Sequence, residues 1–72
     1  MTNNQFDALA ALMRLRPSPS REALRLVLVD GATHTAAAER AGIPRPNVTR
    51  QVSSARHALA LIEAITDKPA SK

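Results

Sequence analysis

Cysteine, tryptophan and tyrosine are absent from this 72-residue chain, and Phe6 is its only aromatic side chain. Without cysteine there is neither a disulfide framework nor a thiolate zinc site. His34 and His57 lie far apart with no third histidine, so neither is read as a metal ligand. A core must then come from Ala, Leu, Val and Ile, and at this length it rarely supplies more than ~3–5 kcal/mol. Self-association is the natural remedy. A single small domain has no room for a catalytic cleft beside that core. Glycine is also scarce: Gly31 and Gly42 are the only two, and no glycine-rich phosphate loop is formed. Nucleophile elbows and pocket-forming carboxylate pairs are missing as well. The expectation is a protein that is not an enzyme, with no catalytic residue, cofactor, metal or small-molecule ligand. No apolar run approaches the ~18 residues of a membrane span. The start, MTNNQFDALAAL, lacks the cationic opening of a secretory signal. A cytoplasmic location is expected.

Lysine is missing before position 68, so every earlier cation is an arginine. Ten Lys and Arg against six Asp and Glu leave a net charge of +4, with a pI near 11.2. Charge of this sign favours polyanions, although by itself it also suits a merely soluble protein. Placement says more. Glu39 is the only acid between Asp30 and Glu63, while Arg40, Arg45, Arg50 and Arg56 fall in the same interval. Arginine offers a planar fork that holds phosphate or guanine through two hydrogen bonds.

The pattern of Phe6, Leu9, and Leu12 or Met13, with alanines between, predicts a first helix over 2–15. Thr2, Asn3 or Asn4 can cap it, and Asp7 complements the positive end of its dipole. Arg14 and Arg16 at the other end suit either the dipole or a phosphate. Arg16-Pro17-Ser18-Pro19-Ser20 is a break too short for a domain linker, and Ser18 or Ser20 can cap the next helix. That second helix, over about 20–29, points Ala23, Leu24, Val27 and Leu28 inward, with Arg21, Glu22 and Arg25 outward. Glu22 can reach Arg25 at i, i+3. Spacing leaves Leu26 and Val29 undecided. Asp30-Gly31 ends the helix.

The most informative stretch is THTAAAERAGIPRPNVTRQV, residues 33–52. Thr33 is placed to cap a helix from His34 to about Ala41. Gly42 then falls where a helix ends in a left-handed residue. Ile43 follows as a plug, Pro44 bars continuation, and Pro46 suits a first turn, where its missing N–H costs nothing. Ala38 keeps the inner face small, and Val48 and Val52 extend an apolar seam. This is the pattern of a helix-turn-helix, whose second helix enters the DNA major groove. A helical hairpin stiffened by proline is the plainer account.

The last helix is expected to run unbroken from Pro46 to about Ile65, roughly 30 Å. Val48, Val52, Ala55, Leu59 and Ile62 step by four and three, the spacing of a helix–helix seam. Leu61 and Ile65 broaden that stripe. The carboxyl half therefore serves either an ordinary core or a dimer contact through Leu59, Leu61, Ile62 and Ile65. Residues 66–72 read as a polar, disordered tail.

On helix-turn-helix geometry the outward residues near the groove are Arg45, Asn47, Thr49, Arg50, Ser53 and Ser54. Arg50, lying between Val48 and Val52, cannot share their core. It is the leading candidate for base reading, with solvent or phosphate as the alternative. Thr49 and Ser53 suit a thymine methyl or a base edge, and Asn47 suits either the groove or a local cap. Thr33, His34 and Thr35 open the supporting helix, where free N–H groups favour phosphate; capping explains the threonines equally well. Arg56, a turn or more further on, suits backbone phosphate.

Leu28-Val29-Asp30-Gly31, followed by Ala38, Gly42-Ile43, Arg45, Val48 and Val52, resembles the KorA/TrfB group of plasmid-encoded transcriptional repressors. Gln5-Phe6 fits as well, so the likeness covers about residues 2–65, and the length suits a smaller relative of the KorC kind. The resemblance implies a nucleoid-associated bacterial repressor that binds palindromic operators as a homodimer. Three departures stand out. Pro46 replaces a small residue, Ser54 stands where that group has arginine, and Arg50 replaces a shorter polar side chain. KorA-type proteins also carry a carboxyl-terminal dimerisation region, so any dimer contact here is expected from the first helix and residues 58–65.

The expected architecture is all-α, a small helix-turn-helix bundle of four helices with a long carboxyl-terminal recognition helix. Residues 1–65 form the DNA-binding domain and 66–72 the tail. Double-stranded operator DNA and a second copy of the chain are the expected partners, with no membrane. A protein-interaction module of the antitoxin or adaptor kind, or the targeting end of a recombinase, are the alternatives.

Overall fold

The structure, a computed structural model, describes residues 1–66. Four helices follow one another: α1 (Asn3–Leu12), α2 (Pro19–Leu28), α3 (His34–Ala41) and α4 (Arg45–Thr66). Helix α2 packs on α3 and α4, α3 packs on α4, and α1 leans on α2. The chain is thus all-α with a long last helix, as its periodicity predicts. Thr66 belongs to that helix rather than to a tail. The remainder of the tail expected over 66–72, residues 67–72, lies outside the described residues.

Helix α1 is shorter than the expected 2–15. Thr2 closes its start with a capping box: its hydroxyl accepts from the Gln5 N–H at 3.1 Å, and Gln5 accepts from the Thr2 N–H at 2.9 Å. At the other end Arg14 turns left-handed, φ 57°, and Leu15 N–H closes on the Ala10 carbonyl at 2.9 Å. That is the helix-ending bond usually reserved for a glycine cap. Asp7 lies beyond the first turn and meets Arg21 of α2 at 3.4 Å.

Ser18 caps α2 by accepting from the Arg21 N–H at 3.2 Å, with Pro19 in the first turn. Its inward set differs from the expected one. Ala23, Leu24 and Leu26 are buried, whereas Val27 and Leu28 are only half-buried. Four consecutive apolar residues, 26–29, leave periodicity without contrast, and α1, α3 and α4 together decide which of them goes in. Arg21 is not simply solvated either. Its guanidinium lies 5.3 Å from the centre of the Phe6 ring, a cation–π contact that ties α2 to α1.

Among the described residues, Phe6, Leu24 and Val48 are the largest fully buried side chains, and five of the eleven core residues are alanine. Alanine adds little volume, so the helices approach closely, and a larger side chain at such a position overpacks the core. Leu12, expected on the core face of α1 alongside or in place of Met13, is 59% exposed; Met13 packs on the core instead.

Candidate nucleic-acid interface

The 33–52 stretch folds as its residue types dictate. Thr33 accepts from the Ala36 N–H at 3.0 Å and so caps α3. Gly42 takes the left-handed conformation, φ 71° and ψ 34°. Its N–H and that of Ile43 both reach the Ala38 carbonyl, at 2.8 and 3.1 Å, which ends the helix and reverses the chain. Ile43 packs against the core. The Pro44 carbonyl accepts from the Asn47 N–H at 3.0 Å, opening α4. The helix begins at Arg45, one residue before Pro46, whose missing N–H falls in that first turn.

Val48, Val52 and Ala55 are buried, Val48 and Ala55 wholly so. Their burial fixes how α4 is turned about its axis, and the other flank is set with it. Arg45, Thr49, Arg50, Ser53, Ser54 and Arg56 are exposed, and Asn47 is half-buried. His57, also exposed, is two turns beyond Arg50 and shares its side of the helix. Sequence reasoning weighed His57 only as a metal ligand, yet the period that places Arg50 outward places this residue too. Thr33 and Thr35 are exposed at the start of α3, with His34 half-buried between them.

Two hydrogen bonds order this surface. His34 Nδ1 lies 3.1 Å from Thr49 Oγ1, joining the first turn of α3 to the second turn of α4. Arg50 donates from Nη2 to Asn47 Oδ1 at 3.4 Å, so Asn47 supports the arginine rather than capping the helix. Thr33 uses its hydroxyl as a cap.

Charge is arranged unevenly. Among the described residues the ion pairs join Arg21 to Asp7, and Arg25 to Glu22 and Asp30, all within α1, α2 and the turn after it. No such pair among them engages Arg40, Arg45, Arg50 or Arg56. Exposed guanidinium groups beside hydroxyl and amide side chains suit a phosphate backbone and base edges. No group of three or more potential metal ligands occurs among the described residues. No helix among them is long and apolar enough to cross a membrane. Comparison with known families, curated proteins and solved structures finds no match to this chain.

Proposed function

We propose that this chain is a sequence-specific DNA-binding repressor, acting as a homodimer on a two-fold operator and blocking a promoter by occupying it. One observation carries the reading. Val48 and Val52 are buried while Arg50, between them, is exposed at the start of a long helix held by a tight turn. A helix so presented, with exposed arginines, fits the major groove. The likeness of 28–52 to KorA/TrfB-type repressors supports the same reading and extends it to a plasmid setting. Arg50 reads a guanine edge, with Ser53, Ser54 and Thr49 beside it. Arg45, Arg56 and the start of α3 hold phosphates.

Selection of bound sites from a random duplex pool tests this directly. The expected result is a palindrome whose half-sites lie about one helical turn apart, ~34 Å. Affinity for it should fall with salt at a log–log slope of about −5 to −7, corresponding to ~6–8 phosphates neutralised. Binding without salt dependence, or no enrichment of any site, would refute the proposal. The exposed apolar end of α4 favours one second reading, a helical adaptor that docks on another protein; such a protein retards no duplex at moderate salt.

A further inference from the structure

The far ends of α1 and α4 leave apolar surface that the core does not use. Leu61 is 53% exposed and Ile65 81% exposed on α4, and Leu12 is 59% exposed on α1. Beside them lies an open groove of about 470 Å³, walled by Met1, by Gln5, Ala8, Leu9 and Leu12 of α1 and by Leu59 and Ile62 of α4. All the lining side chains are uncharged, and the charge carried by a lining residue is the amino group of Met1. A ridge and a slot, both apolar, therefore sit at one end of the same molecule.

We propose that this end is a two-fold contact between two copies. The α4 helices cross antiparallel at Ile62, and Ile65 of each copy enters the slot between α1 and α4 of the other. Register supports the fit. In an antiparallel pair centred on position 62, position 65 of one helix faces position 59 of the other, and Leu59 is a wall of the slot. Charge supports the choice of occupant. Two chains of net charge +4 repel each other over most of their surface, so a self-contact belongs on a wall whose side chains are uncharged.

Distance ties this contact to the proposed DNA reading, on which only this part of the inference rests. Arg50 precedes Ile62 by twelve residues, about 18 Å along a helix. A crossing at Ile62 thus allows the two Arg50 side chains to stand up to about 36 Å apart along the helices, enough for the ~34 Å between successive major-groove faces. A crossing at Leu59 limits that separation to about 27 Å. The small number of side chains involved places the interface near the lower end for specific contacts, roughly 600 Å² per partner.

Sedimentation equilibrium on the full chain tests the contact without DNA. Leu12→Lys and Ile65→Glu replace residues more than half exposed, and circular dichroism checks that each variant keeps its helices. Wild type should dimerise in the micromolar range, and each variant alone should do so at least tenfold more weakly. An equimolar mixture of the two should recover the dimer, because the introduced lysine of one copy meets the introduced glutamate of the other while the second contact stays apolar. The inverse pair, Leu12→Glu with Ile65→Lys, should repeat the recovery. A mixture that stays monomeric, or variants that dimerise like wild type, overturns the proposal. A wild-type chain that dimerises but retards no duplex removes the repressor reading and leaves this contact standing. A wild-type chain that binds its selected operator while remaining monomeric does the reverse.

Discussion

Arg21 and Arg25 of α2 have internal partners, whereas Arg40, Arg45 and Arg56 of α3 and α4 have no ion pair among the described residues. Arg50 has only a neutral amide, that of Asn47. The same residue type is used in two ways within one small domain. In the first half, arginine is paired within the fold: Arg21 reaches Asp7 and lies over Phe6, joining α2 to α1, and Arg25 spans Glu22 and Asp30 along α2 and the turn after it. In the second half it is presented to the outside. Net charge alone hides this division, because it counts a guanidinium spent on a neighbouring carboxylate like one left open to a polyanion.

The contrast is sharpest in paired substitutions. Arg50→Ala should cost about 1–3 kcal/mol of discrimination between operator and random duplex, with the thermal midpoint unchanged. Arg40→Ala, off the reading helix, should leave that preference as it was. Arg21→Ala should do the opposite of Arg50→Ala, lowering stability by about 0.5–1 kcal/mol through the lost cation–π contact and leaving the operator preference intact. Competition binding and thermal melts on the same three variants would break the comparison if the two effects fell on the wrong residues.

Arg14 belongs to neither use. It occupies a left-handed position at the end of α1, which costs an L-residue up to about 1–2 kcal/mol. Arg14→Gly should raise stability, by about 0.5–1 kcal/mol once the greater freedom of glycine in the unfolded chain is deducted. A lower melting temperature for that variant would show that the arginine side chain itself stabilises the turn.

The smallest effect concerns Glu22. Its hydrogen bond from Arg25, with Nη2 at 2.6 Å, holds its carboxyl below the ordinary glutamate range against the opposing effect of desolvation. A depressed folded-state pKa contributes stability that is present above the unfolded value and is lost as pH falls through the folded one. Melting temperature should therefore drop as pH falls below about 4.3, and slightly less in Glu22→Gln. Both partners are partly exposed, so the difference is small.

The turn between α3 and α4 was legible in the residues because each of its devices is local. A threonine cap, a left-handed glycine and a proline in a first turn declare themselves without knowledge of the rest of the chain. So does the outward flank of α4, which is set by the burial of two valines one turn apart. The end of α1 was not legible, since Arg14 carries no glycine or asparagine signature of its left-handed turn. The choice of Leu26 over Val27 and Leu28 depends on three neighbouring helices at once. His34 with Thr49, and Arg21 with Phe6, are each fifteen residues apart, and no local rule links residues at that distance.

Continuity of α4 has a consequence for how this protein can change. Its exposed arginines and its bare isoleucine end are mounted on one rod of 22 residues with no joint between them. One residue added or removed near Ala55–Leu59 would swing one end relative to the other by about 100°. Exposed positions between its two ends are thus free to drift one at a time, while its length is held fixed by whatever must stay in phase at both ends.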